Sequence, residues 1–379
     1  MPYITMMQSP AYHQLTFEEV LFGGNSVPTL INNNTSNTRT KYVPYIPLDY
    51  LEKFDIEGMI LALKRFCDVH EDLYRANRQD LYDTFPIPKK TGGLRIINAP
   101  HPELMNALRE LATLLKEKMF ALYHTSAFAY VQNRSTIDAI KRHQQNGSKW
   151  FLKTDFSDFF GSTTLEFVMY MLSMIFPFCE IVKKEDGRKY LEKAMELCFL
   201  NGGLPQGTPI SPMITNLMMI PIDHRLYNCL RTYEGVNYVY TRYADDILIS
   251  SRRSFDHEHI VELITKTLTE FKAPFKIKDE KTRYGSSAGS NWNLGLMLNK
   301  DNEITIGHKN KRRLRAMICN YILDKVNKNG WPLHDVQVLR GHINYYKMVE
   351  EEYVNEVIAY NNKKFGVNVM KMINADLAG

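Results

Sequence analysis

Asp245 and Asp246 stand side by side in the run Tyr240-Thr241-Arg242-Tyr243-Ala244-Asp245-Asp246-Ile247-Leu248-Ile249-Ser250, at a tight turn between two β-prone segments. Adjacent carboxylates repel each other unless a cation lies between them. Mg²⁺ suits that place, being a hard ion that takes carboxylate oxygens and substrate phosphates together. Two such ions can steady the attacking and the leaving oxygens of a phosphoryl transfer. An Asp pair on a solvated hairpin turn is the alternative, and the apolar run from Ile247 to Ile249 weakens it. A two-metal site needs a further carboxylate. In Lys153-Thr154-Asp155-Phe156-Ser157-Asp158-Phe159-Phe160, Asp155 closes an apolar strand from which a loop can reach a metal. Asp158 is better suited to capping the next helix.

A second stretch has the composition of a binding platform: Asn201-Gly202-Gly203-Leu204-Pro205-Gln206-Gly207-Thr208-Pro209-Ile210-Ser211-Pro212. Its glycines let backbone pass close to a ligand. Its prolines stiffen the path into the following helix. Gln206 offers both donor and acceptor groups. A rigid, glycine-lined floor beneath a base pair fits this design. Further on, Lys309-Asn310-Lys311-Arg312-Arg313-Leu314-Arg315 is a cationic block suited to a phosphate backbone, with a solvated helix face as the bland alternative.

The elements that must position these groups alternate between helix and strand. Helical spacing runs from Leu48 to about Asp83, from Glu103 to Leu122, over Leu165–Ile175 and Arg188–Leu200, over Ser211–Leu230, and over Phe255–Glu270. Strands are expected at Lys149–Phe156, around Lys276 and over Asn293–Leu298, with hairpins at Pro86–Ile97 (turning at Gly92-Gly93) and Tyr238–Ser251. Residues 1–45, with the polar run Ile31–Thr38, read as a loop or arm, and the last 70 or so residues as mainly helical. Such alternation implies an α/β (α+β) fold in which helices cover a sheet. With 379 residues there is room for two or three subdomains. No apolar run of about 18 residues spans a membrane. The N-terminus has no signal-peptide pattern. Five scattered cysteines without a CxxC pair fit reduced thiols in a cytoplasmic protein and argue against a zinc site.

Taken in order, these motifs resemble the reverse transcriptases, particularly the prokaryotic ones. The run is Pro88-Lys89-Lys90 with Gly93-Leu94-Arg95, Phe128-Ala129-Tyr130 with Asn133-Arg134-Ser135, the Asp155 strand, Leu204-Pro205-Gln206-Gly207, Tyr243-Ala244-Asp245-Asp246, Glu280-Lys281-Thr282-Arg283 and Asn293-Leu294-Gly295-Leu296. The match covers about residues 85–300, with a weaker, thumb-like likeness beyond. The resemblance implies a right-hand polymerase. Residues 1–84 would be an N-terminal extension, 85–150 fingers, 151–300 an RRM-like palm with finger insertions at 163–200, and 301–379 a helical thumb.

The resemblance also implies roles. Asp155, Asp245 and Asp246, with the Phe156 carbonyl, would bind two Mg²⁺ ions, Mn²⁺ serving as a substitute. Lys89 and Arg95 would grip the incoming triphosphate, since three phosphates need cations that hold them in line. The backbone N–H groups of Asp158 and Phe159 would cradle the phosphates, and Gln206 would lie against the sugar. Lys281 would stand near the pyrophosphate leaving group as a candidate general acid, with a solvated loop lysine as the alternative. Phe160, five residues after Asp155, would be the aromatic gate that clashes with a ribose 2′-OH. Gly295 would turn the primer grip. Tyr243, Gly295, Arg312, Arg313 and Arg315 would meet primer and template, the arginines through the duplex backbone.

The subclass is less legible. Intact Leu204-Pro205-Gln206-Gly207 argues against a diversity-generating enzyme. Asp138-Ala139-Ile140-Lys141-Arg142-His143 departs from the Asn-Ala-x-x-His run of retron enzymes, and Asn293-Leu294-Gly295 stands where they carry Val-Thr-Gly. The expectation is therefore a stand-alone defence-associated or abortive-infection enzyme, with a retron enzyme next. Either would copy a dedicated structured noncoding RNA from dNTPs on a DNA/RNA primer–template duplex, with a second copy or an accessory defence protein as further partners and no membrane. The alternatives are template-independent or protein-templated DNA synthesis, a group II intron-derived enzyme, and, last, a non-catalytic RNA-binding module.

Overall fold

A computed structural model of the protein describes residues 54–89, 92–117, 123–232, 235–288 and 292–378. The arm read over residues 1–45, the helical start at Leu48, the hairpin tip at Lys90-Thr91 and the helical end at 118–122 lie outside them.

In chain order, α1 (Ile56–Val69) and α2 (Glu71–Arg75) precede the hairpin of β1 (Tyr82–Pro88) and β2 (Leu94–Pro100). Then come α3 (Pro102–Glu117), α4 (Thr136–Gln145), β3 (Trp150–Asp155), α5 (Leu165–Leu172), α6 (Phe178–Lys183), α7 (Glu185–Glu196), α8 (Ser211–Met218) and α9 (Ile220–Thr232). A second hairpin, β4 (Val239–Tyr243) and β5 (Asp246–Ser251), leads to α10 (His257–Glu270), β6 (Arg283–Ser286), β7 (Trp292–Asn293), β8 (Leu296–Leu298) and β9 (Ile304–Thr305). The chain closes with α11 (Gly307–Val326), α12 (Leu333–Val349), α13 (Glu351–Phe365) and α14 (Val369–Ala378).

These elements form two units. Among the described residues, the first holds those within 54–132, 155–229 and 258–278; the second holds those within 133–154, 230–257 and 279–378. In the first, Leu104, Leu108, Leu111 and Leu115 of α3 are fully buried, as their three- and four-residue spacing requires. Phe156, Phe159 and Phe275 form an aromatic cluster with ring centroids 4.8–5.5 Å apart. In the second, the four-stranded sheet has the order β4-β5-β3-β6, and β7-β8-β9 form a small sheet of their own. Its core joins Phe151 and Leu248 of the large sheet to Leu314, Ile318, Tyr321 and Ile322 of α11 and to Leu339 and Ile343 of α12.

Several elements differ from the expectation. The helix expected over Ser211–Leu230 is two, broken at Met219, because Pro221 has no N–H to return to the carbonyl of Leu217. The helix expected to reach Ile175 stops at Leu172, close to Pro177, and the short α6 follows it. Near Lys276 there is one β-bridge, Phe156 with Ile277, and the regular strand starts at Arg283. All five cysteines carry free thiols: Cys67, Cys179 and Cys198 are buried, and Cys229 and Cys319 half-buried. Among the described residues no helix is long and apolar enough to cross a membrane.

Candidate active site

The Asp pair sits on a two-residue turn. Tyr243 pairs with Asp246 as the last rung of β4–β5, so Ala244 and Asp245 alone reverse the chain. Ala244 has φ +58° and Asp245 does not have positive φ, the sign pattern of a II′ turn, where glycine is usual at the first position. An L-residue in that region costs about 1–2 kcal/mol. Neighbours hold it there. Arg242, 1% exposed, donates from Nη1 to the Ala244 carbonyl at 3.0 Å. His143 of α4, fully buried, bridges the two strands: Nδ1 lies 2.6 Å from Ser250 Oγ and Nε2 2.8 Å from Thr241 Oγ1. Burial pushes the His143 imidazole down to about 3, so it stays neutral as it joins the strands. Asp245 and Asp246 themselves are half-buried.

β3 lies next to β5 in the sheet and ends on Asp155. Lys153 precedes Asp155 by two residues and so shares its face of the strand. Its Nζ lies 3.1 Å from Asp246 Oδ1. On the other flank Lys153 is registered opposite Arg283 of β6, and Thr154 Oγ1 meets Thr282 Oγ1 at 2.9 Å. Asp155 is buried, and its carbonyl accepts the Lys278 N–H at 2.9 Å. The donor chemistry suits a hard divalent cation: the turn carries consecutive carboxylates, and a side-chain ammonium is already drawn to one of them. Among the described residues no three His, Cys, Asp or Glu side chains are grouped to hold an ion, and one oxygen of Asp246 is engaged by Lys153.

The first unit contains a polar cavity of about 190 Å³ lined by Ile96, Asn98, Asp158, Asn201 and Gln206, among others. Three segments meet there. The β1–β2 hairpin donates the Asn98 N–H to the Gln206 carbonyl at 2.8 Å. The Leu204 N–H donates to the Phe160 carbonyl at 2.9 Å. Two glycines permit the approach: a Cβ on Gly203 would strike the Gly161 carbonyl, and one on Gly207 (φ +120°) would stand 2.7 Å from the Asn98 carbonyl. Asp158 is exposed at φ +44°, and its carbonyl accepts the Ser162 N–H and Oγ–H. It does not cap the next helix; Thr164 does, accepting the Phe167 N–H. Phe159 is buried in the aromatic cluster, and Phe160 is half-buried with its ring edge-on to Phe159 at 5.6 Å. Lys89 and Arg95 are exposed on the hairpin, whose tip is closed by the Lys89 N–H to the Gly93 carbonyl.

The other expected residues belong to the second unit. Lys281 is exposed at the end of a 3₁₀ turn, Asp279–Lys281. Leu294 (φ +55°) and Gly295 (φ +81°) make a type I′ reversal between β7 and β8. Arg312, Arg313 and Arg315 are exposed on the first turns of α11, opposite buried Leu314 and Ile318. Lys311 is committed elsewhere, 2.5 Å from Glu350 and over the Tyr353 ring. Three positions escaped the sequence reading: Lys153, Arg242 and His143. Only Lys153 left a signal there, a lysine two places before an aspartate on an otherwise apolar strand.

Residues 87–314 match the family model described as reverse transcriptase (RNA-dependent DNA polymerase). The chain belongs to this family. It is an RNA-directed DNA polymerase that depends on divalent metal, and the right-hand polymerase fold comes with the family. Relatives include the Retron Ec73 reverse transcriptase of Escherichia coli, 28% identical over 283 residues, covering 74% of this chain and 85% of the relative. The Retron Ec83 enzyme of the same organism is 27% identical over 304 residues (77% and 89%), and the Retron Mx65 enzyme of Myxococcus xanthus 28% over 308 residues (78% and 67%). Retron enzymes, placed second on two local departures at 138–143 and 293–295, are relatives of this chain over 74–78% of its length. Among solved structures, apo telomerase from Candida tropicalis superposes with a TM-score of 0.43 at 14% identity, covering 78% of this chain and 62% of that one.

Proposed function

We propose that this reverse transcriptase copies a dedicated structured noncoding RNA into DNA in the cytoplasm, as part of anti-phage defence. Asp155, Asp245, Asp246 and the Phe156 carbonyl hold two Mg²⁺ ions. The reading is carried by the Asp245–Asp246 turn, held in a strained conformation by buried Arg242 and already attracting a cation through Asp246. Bound there, the ions supply charge neutralisation at the transferring phosphoryl group. Lys89 and Arg95 hold the triphosphate. Gln206 and Phe160 line the sugar, with Gln206 fixed to the fingers hairpin through Asn98. Asp158 and Phe159 offer N–H groups to the phosphates, and Lys281 delivers a proton to the leaving pyrophosphate. Arg312, Arg313 and Arg315 hold the duplex backbone, with Tyr243 and Gly295 near the primer end.

Sequencing the nucleic acids that co-purify with the full-length protein tests this. One abundant structured RNA, with complementary DNA that disappears in Asp245→Asn, is the expected result. DNA of simple repeat without complementary RNA would instead establish untemplated or protein-templated synthesis. RNA without DNA under polymerising conditions would leave a binding module.

A further inference from the structure

We propose that Lys153 is a positioning residue for metal loading: its ammonium holds Asp246 and competes with a divalent cation for that carboxylate. This rests on the reading of Asp245 and Asp246 as metal ligands. Lys153 Nζ lies 3.1 Å from Asp246 Oδ1, in a pair whose side chains are 32% and 31% exposed. The sheet forces the encounter. Lys153 is registered opposite Arg283 on β6, and like charges directly opposite are unfavourable. The ammonium is therefore displaced towards β5, where the first residue is Asp246.

The residue type fits a holder that must let go. Lysine is a compact point charge on a flexible stem, whereas arginine would take the carboxylate with two parallel bonds. At one-third exposure the pair is weak enough for a doubly charged ion to replace it. While it lasts, it offsets the repulsion that Asp245 and Asp246 exert on each other and keeps Asp246 on the β3 side of the turn.

The test is Mn²⁺ binding to the nucleic-acid-free full-length chain, by calorimetric titration and by electron paramagnetic resonance of the unbound ion. Lys153→Gln removes the competitor and is expected to bind Mn²⁺ about two- to five-fold more tightly, the range an exposed ion pair is worth. Lys153→Arg grips Asp246 harder and is expected to bind more weakly than the native chain. Native or weaker affinity in a folded Lys153→Gln overturns the proposal. Should that variant fail to fold, unchanged or tighter binding by Lys153→Arg overturns it instead. Asp246→Asn separates the two readings. If it abolishes Mn²⁺ binding while the Lys153 variants change nothing, only the role of Lys153 fails. If it leaves Mn²⁺ binding intact, the assignment of Asp246 as a ligand fails.

Discussion

Arg242 donates from Nη1 to the carbonyl oxygen of Ala244, 3.0 Å away, from inside the hairpin that carries the two aspartates. A side chain that is 1% exposed thereby fixes the residue whose φ of +58° aims Asp245 and Asp246. Arg242→Met keeps most of the volume and removes the donor. It should lower stability by about 1–3 kcal/mol, the cost of an orphaned buried group, read as a fall in the denaturant midpoint. Polymerisation by the remaining folded protein should fall too, because the turn relaxes.

Phe160 is tied by its carbonyl to the Leu204 N–H while its half-buried ring lies edge-on to Phe159. If that ring excludes the 2′-OH, Phe160→Ala should raise kcat/KM for ribonucleotides relative to deoxynucleotides by at least ten-fold, about 1.4 kcal/mol in transition-state discrimination. An unchanged ratio would remove Phe160 from the gate.

Two buried histidines make stability depend on pH. Burial lowers His143 to about 3 and His224 to about 4, against 6.5 when exposed. Below about pH 6.5 the unfolded chain takes up a proton on each that the folded chain refuses, so stability is full above that pH and falls as pH drops. The slope approaches about 1.4 kcal/mol per pH unit for each histidine and slackens only near pH 4 and below. Urea midpoints from pH 7.5 to 5 should show this, and His143→Gln should make the slope shallower. An unaltered slope would mean that His143 titrates alike in both states.

Arg312 and Arg313 are exposed on α11 beside Lys311, which Glu350 already neutralises. Arg312→Gln with Arg313→Gln should weaken duplex binding. It should also reduce the slope of log affinity against log salt by about 1–2, one counterion for each lost phosphate contact. A slope equal to that of the native chain would return these residues to a solvated helix face.

Helix α3 could be read from spacing because it buries one face, on which its leucines fall, and β4–β5 turns where Tyr243-Ala244-Asp245-Asp246 predicts. The cut at Pro221 was also written in the sequence, since a proline without an N–H sits inside an apolar run that otherwise reads as one helix. The supports of the hairpin were not. His143 reaches Thr241 and Ser250 across about a hundred residues, and Arg242 is a cation in a run where strand periodicity says only that it faces one way or the other. The partners of His143, so far from it in the chain, are set by the folded sheet, and local pattern carries no trace of them.

The burial of Cys67, Cys179 and Cys198 gives the first unit its own tamper seal. Burial raises all three thiols, Cys179 to about 12, so little thiolate is present while the fold is closed. A thiol-specific label would therefore mark these sites only in molecules that have opened. Cys319 on α11, half-buried in the second unit, would label on a clock of its own. Mass spectrometry of briefly labelled protein could then time the opening of the first unit at its three buried thiols, without adding a probe to the chain.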